Sequence, residues 1–426
     1  MVTRTRANTL LIAFAVVFAT GLFLHAQRRD VFVQSRNHPA IGYDNGPADN
    51  PVSKLNERLV SGDVHMNFDQ VTGYLRPVLE ALNIPIESQV LVFSQTSFQA
   101  PLINVKNPRA VFFNDTTAVG WVRGGQVLEV AVQDPRQGVI FYTVDQGNRE
   151  RTRFTRNEEC LACHLTWETL GVPGMTVQSV QPLPDENAYV IGFTTNHASP
   201  FNQRWGGWYV TGSHGRLAHM GNIPVMPEDK GRLALADPRE IPSVEGLFEL
   251  RGYPTHYSDV ASLMVLDHQT YMTNLITRVG WEARLAAATP SADASARVKE
   301  AAQDLVDYLL FVDEVPLTHP VHGESGFAEK FSAQGPRDHQ GRSLHQLDLQ
   351  HRLLRYPCSY MIYSDAFDAL PPMAKDAVYS RLWKVLSGAE TGARYAHLTK
   401  ADRDAVIGIL RDTKNDLPDY MRAALQ

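Results

Sequence analysis

Cysteine is scarce in this chain, three residues in 426, and two of them stand three apart with histidine following: Cys160-Leu161-Ala162-Cys163-His164. Three kinds of chemistry use such a set. Two thiols at this spacing can each add to one vinyl group of a haem, while the adjacent imidazole ligates the iron from below. They can cycle as a dithiol and disulfide. They can be half of a zinc site. The flanking Arg156-Asn157-Glu158-Glu159 and the missing strand–helix–strand context fit a thioredoxin-like pair badly. No second C-x-x-C is present and Cys358 stands alone, which weakens the zinc reading. The spacing therefore predicts one covalently held haem c, with Cys160 and Cys163 as attachment points and His164 as the proximal iron ligand.

What sits opposite His164 sets the function. A methionine or histidine there gives electron transfer, and an open position gives small-molecule binding or catalysis. Met175 follows the turn Gly171-Val172-Pro173-Gly174, which can swing it back over the iron. His219 and Met220 fall in a predicted strand, where neighbours point to opposite faces, so only one of them can face the haem. His268 lies on the apolar face of a predicted helix between Met264 and Met272; His214, at a predicted turn, reads as solvated. Arg204 and Trp205 are candidate partners for haem propionates. His319-x-x-His322, beside Pro320 and Gly323, reads as a solvated loop rather than a metal site. Cys358, in Tyr356-Pro357-Cys358-Ser359-Tyr360, reads as a buried, inert thiol.

The N-terminus bears on the same question. Arg4 and Arg6 precede the apolar run TLLIAFAVVFATGLFL (residues 9–24), and His25-Ala26 follows it. A basic start, a short apolar stretch and a small residue at its end form a secretory signal over 1–26, with cleavage after Ala26. Left uncleaved, residues 9–24 would attach the protein to a membrane. Covalent haem attachment takes place outside the cytoplasm in bacteria, so both features predict a periplasmic or other extracytoplasmic protein.

On the five residues of the motif and the export signal, the chain resembles the c-type cytochromes. The resemblance implies thioether links at Cys160 and Cys163, proximal ligation by His164, and a redox partner protein. The chain departs from a small cytochrome c, which is a compact helical domain, because here the motif lies in a strand-rich part of a much longer chain. The segments RWGGWYVTGSHG and RYPCSYMIYSDAFDALP resemble signatures of large secreted cytochrome-like proteins of unknown role.

The elements that must position these residues fall into two halves. Residues 27–52 (HPAIGYDNGPADNP within them) read as a linker or arm. Helical stretches are predicted at Ser53–Val60, with Ser53 as the cap, and at Gln70–Leu82. From residue 89 to 222, short runs rich in Val, Phe, Tyr and Trp are broken by Gly, Asp and Asn, which predicts an antiparallel sheet. Its last member is a hairpin turning near Ser213–Gly215. A Pro-rich connection covers 226–257. From Ser258 onward, Val260, Met264, His268, Met272, Leu275 and Val279 recur at steps of three and four, predicting a helix to about Ala287. Further helices are predicted at Asp293–Val312, capped by Ser291 or Asp293, and near 343–355, 359–368, 373–387 and 399–412. The expected class is α+β, with a β-rich haem region over 53–225 and a helical region over 258–426.

Composition narrows the function. Forty Lys and Arg against 46 Asp and Glu give a net charge of −6. That balance lacks the basic excess of a nucleic-acid binder. Hydrophobic residues at 44% are enough to form a packed core. Phosphate-loop, dinucleotide, zinc-protease and serine-hydrolase motifs are absent from the sequence. Electron transfer with one haem is the expected role. A peroxidase-like haem enzyme is the alternative, since some 400 residues exceed what a carrier needs. A haem-based sensor or binding module is the third.

Overall fold

The computed structural model describes residues 36–147, 152–180, 192–223 and 235–423. The predicted export segment lies outside them. Contacts divide the chain at Pro47. Before it, Arg36 pairs with Asp44 at 3.0 Å. Ala48–Gln426 is one compact unit, so the β-rich and helical regions form a single body.

Helix α1 (Pro51–Ser61) opens that unit. Its cap is Asn50 rather than Ser53: the Asn50 side chain accepts from Ser53 N, and Ser53 Oγ accepts from Asn50 N in return. The capping box and Pro51 in the first turn start the helix two residues before the expected position. Helix α2 (Leu75–Ala81) is shorter than expected.

The sheet follows. Its strands are β1 (Val90–Val92), β2 (Arg109–Phe113), β3 (Thr117–Trp121), β4 (Val127–Asp134), β5 (Gly138–Asp145) and β6 (Thr155–Arg156). Side chains make the tight turns: Asn114 Oδ1 accepts from Thr116 N and Thr117 N between β2 and β3. Asp134 Oδ1 does the same for Arg136 N and Gln137 N between β4 and β5. After β6 comes the one-turn helix α3 (Leu161–His164), then the separate antiparallel pair β7 (Val177–Val180) and β8 (Gly192–Thr195). Strand β9 (Trp208–Tyr209) closes the main sheet, whose order is β6-β5-β4-β3-β2-β1-β9.

The hairpin expected around Ser213–Gly215 is not formed. Trp208 and Tyr209 pair with Val92 and Leu91 instead. Thr211, Gly212 and Ser213 then bridge singly to Asp259, Ile241 and His322. Three different neighbours offer ladder groups, and these outcompete local return of the chain.

Helix α4 (Val260–Ala288) is capped by Asp259, whose side chain accepts from Ala261 N and Ser262 N. It is buried around most of its circumference because the sheet packs on one side and α5 (Ala292–Leu309, capped by Ser291) on another. Then come α6 (Phe327–Ser332), between the helices expected at 293–312 and 343–355, α7 (Asp365–Asp368), α8 (Pro372–Leu386), α9 (Lys400–Thr413) and α10 (Asp419–Arg422). Residues 343–355, expected to be helical, form turns around a Leu347–Leu354 bridge. The class is α+β. One apolar core runs from Val90, Val111 and Phe113 of the sheet through α4 into α5 and α8. Among the described residues no helix is long and apolar enough to cross a membrane.

Candidate functional site

The Cys-x-x-Cys-His segment begins where the sheet ends. β6 pairs with β5, and Asn157 then caps the next turn by accepting from Glu159 N at 3.0 Å. Cys160 is half-buried and Cys163 exposed, one turn apart on the same side. The next residue, His164, lays its ring against Phe141 of β5, with centroids 4.7 Å apart. Phe141 belongs to a cross-strand row with Ala131 and Ala118, which ends on Phe113 in the helical core. Nearby on the sheet, Arg109 of β2 reaches diagonally across β3 to Glu129 of β4, and the two pair at 2.5 Å. The Arg109 guanidinium lies over Gly120, where a Cβ would come within 2.4 Å of Nη2.

Backbone geometry decides what His164 can do. Its Nδ1–H donates to the Gly174 carbonyl at 2.9 Å, and Gly174 N–H returns a bond to the His164 carbonyl at 2.9 Å. With Nδ1 carrying the proton, the lone pair is on Nε2. Packing around the ring lowers its pKa to about 4, against support from the Gly174 bond, so the imidazole is neutral at pH 7. A neutral imidazole tied at Nδ1 and bare at Nε2 is the form that ligates metals. Burial, reinforced by Glu129, raises the Cys160 thiol to about 11. That is the reverse of the lowered pKa that activates a redox dithiol.

The other histidines are arranged differently. His268 and His197 are fully buried, with their Nδ1 atoms 2.9 Å apart. Ser359 Oγ lies 2.7 Å from His268 Nε2, and His197 Nε2 lies 3.3 Å from the Val312 carbonyl. Neutral rings satisfy the whole chain: Ser359 donates to His268, His268 to His197, and His197 to Val312. No nitrogen of His268 remains for iron. His219 is also fully buried. Gly221 N–H donates to its Nδ1 at 3.0 Å, which puts the proton on Nε2, and that atom faces His214 Nε2 at 3.2 Å. Its lone pair is thus on the nitrogen already in use. His214, expected at a solvated turn, is buried.

Met175 is buried next to Gly174, whose carbonyl accepts from His164 Nδ1, and its backbone N–H and carbonyl are both bonded to Asn274. Met220 is half-buried, with its backbone N–H bonded to the Arg204 carbonyl. Arg204 and Trp205 serve an internal network. Arg204 donates to the carbonyls of Ser199 and His197, and Trp205 Nε1 donates to Asp267 Oδ2 at 2.9 Å. Cys358 is fully buried, and burial raises its thiol well above the usual range. Among the described residues no group of three or more His, Cys, Asp or Glu forms a metal cage.

Sequence reasoning passed over Gly174 as the partner of His164, and Phe141 and the Arg109–Glu129 pair altogether. The turn at Gly171–Gly174 was the available signal, but its use is to offer a carbonyl to His164. Compared with protein-family models, curated proteins and solved structures, the chain matches none.

Proposed function

We propose that this chain is an exported haem protein of cytochrome c type that transfers electrons to a redox partner protein. Cys160 and Cys163 hold the porphyrin by thioether bonds, and His164 Nε2 ligates the iron. The observation that carries the reading is the His164–Gly174 bond, which fixes the tautomer and leaves Nε2 bare beside two thiols on one turn. When bound, haem supplies one-electron chemistry at its iron. The chain supplies the rest. Gly174 orients the imidazole, Phe141 supports its face, and the Arg109–Glu129 pair places balanced charge nearby. Cys163 is exposed and Trp167 is 62% exposed, so the attachment turn faces outward, as exchange with a docked partner requires.

A second reading, a haem enzyme with an open sixth position, is favoured by one specific finding. His219 and His268 have their ring nitrogens engaged. Of the four candidates, Met175 and Met220 are left.

The deciding experiment is expression of the full chain in a host that matures c-type cytochromes. Visible spectra are recorded oxidised, reduced and reduced with CO, with haem typed in alkaline pyridine. One covalent haem, six-coordinate and indifferent to CO, supports electron transfer. A five-coordinate haem that binds CO moves the assignment to the enzyme. No covalent haem, beside a control cytochrome that matures normally, overturns both.

A further inference from the structure

The proximal histidine's acceptor is itself held by the helical region. The loop Pro173-Gly174-Met175 has five polar backbone atoms, proline lacking an N–H, and all five are paired. Val139 N–H donates to the Pro173 carbonyl at 3.0 Å. Gly174 uses its N–H and its carbonyl on His164. Met175 is bracketed by one side chain of α4: its N–H donates to Asn274 Oδ1 at 2.9 Å, and Asn274 Nδ2 donates to its carbonyl at 2.8 Å. Asn274 is fully buried. It also presses on Gly174, where an added Cβ would come within 2.2 Å of Oδ1. One turn further, Thr277 fills the space above Gly138, where a Cβ would meet it at 2.6 Å. Gln133 Nε2 reaches the Thr273 carbonyl at 3.5 Å. Thus Thr273, Asn274 and Thr277 form a plate on α4 that fixes β4, β5 and the loop together.

An amide that accepts from one backbone atom and donates to the next fixes both the position and the direction of the adjoining peptide. The peptide so fixed follows Gly174, and its carbonyl belongs to Gly174. We infer that Asn274 is a positioning residue: by clamping Met175 it aims the Gly174 carbonyl at His164 Nδ1 and so sets the donor strength of Nε2 toward the iron. This rests on the haem reading above. It also gives the helical region a task at the site, because α4 reaches the proximal ligand through two hydrogen-bonded residues. A stronger bond at Nδ1 makes the imidazole a better donor and favours the oxidised iron.

The test compares Asn274→Ala and the near-isosteric Asn274→Leu with the wild-type haem-loaded chain. Haem content by pyridine assay and the midpoint potential are measured on each. The expected result is equal haem content with a more positive potential in Asn274→Ala. Asn274→Leu removes both bonds to Met175 without adding a charge, so it shifts in the same direction. Should Asn274→Ala fail to fold, the Leu variant alone decides. Unchanged potential in folded, haem-loaded variants overturns the positioning role and leaves the haem reading intact. Absence of covalent haem in the wild type overturns the haem reading first.

Discussion

Two regions of this molecule place histidines against backbone and side-chain partners, with opposite consequences. At the edge of the sheet, His164 points Nδ1 at a carbonyl and keeps Nε2 bare. In the interior between α4 and the turns at Val312 and Ser359, His268 and His197 spend their nitrogens on each other and on their neighbours. Both rings of the interior pair are neutral, and desolvation is the cause, lowering His268 to about 3 and holding His197 well below the ordinary 6.5. Burial and neutrality are therefore common to both regions. The polarity of the partner separates them: a carbonyl at Nδ1 frees Nε2 for a metal, and a hydroxyl at Nε2 closes it.

The largest effect is expected deep in the interior. Asp267 accepts from Thr195 and Trp205 and stands 3.8 Å from Arg204, all of them buried. Asp267→Ala strands that guanidinium and is expected to cost about 3–5 kcal/mol, read from urea unfolding. A loss under 1 kcal/mol would mean that Arg204 finds water or another acceptor.

Next comes a crossed pair. His268→Ala removes partners from Ser359 and His197 and is expected to destabilise by about 2–4 kcal/mol, with the haem spectrum of the folded fraction unchanged. His164→Ala, on the haem function proposed above, is expected to abolish proximal ligation at a smaller stability cost, about 1 kcal/mol, because His164 is half-buried. Loss of the native haem spectrum in folded His268→Ala would break the contrast between the regions.

Acid sharpens the comparison further. The buried histidines hold pKa values below the ordinary 6.5, so the unfolded chain binds more protons. Their contribution is complete above pH 6.5 and is lost as pH falls toward about 3. Asp267, raised by burial to about 6, and Glu314, raised by burial to about 7, act in the opposite sense between pH 4 and 7. Asp259, also raised by burial, acts with these two acids. Burial of several histidines outweighs the three, so the urea midpoint is expected to fall steadily below pH 6.5. His268→Gln should flatten that slope; an unchanged slope would assign the acid sensitivity elsewhere.

The smallest effect is at the surface. In haem-free protein, Cys163→Ser should change stability by less than about 0.5 kcal/mol. A thiol reagent should label Cys163 first and Cys160 more slowly, and Cys358 only on unfolding. Fast labelling of Cys358 in the native state would show that its core opens locally.

Much of this was legible in the sequence. Five consecutive residues carry Cys160, Cys163 and His164, and covalent spacing survives in any fold. Short runs rich in Val, Phe, Tyr and Trp, broken by Gly, Asp and Asn, predicted the antiparallel sheet, and the three-and-four recurrence from Val260 to Val279 predicted α4 to within a few residues. The failures have physical causes. Ser53 and Asn50 both cap well, and only the reciprocal bond between them chose Asn50. The hairpin at Ser213–Gly215 lost to bridges with Asp259, Ile241 and His322, partners between 29 and 109 residues away along the chain.

The sequence by itself determined the α+β class, the course of the long helices and the set of side chains able to do chemistry. The tertiary structure alone decided which nitrogen of each histidine keeps its lone pair. That choice depends on whether a carbonyl, an N–H or a hydroxyl is brought to the ring. His164 meets Gly174 within one turn of chain, but the direction of that carbonyl is held by Asn274, 100 residues further on, and no local pattern records it.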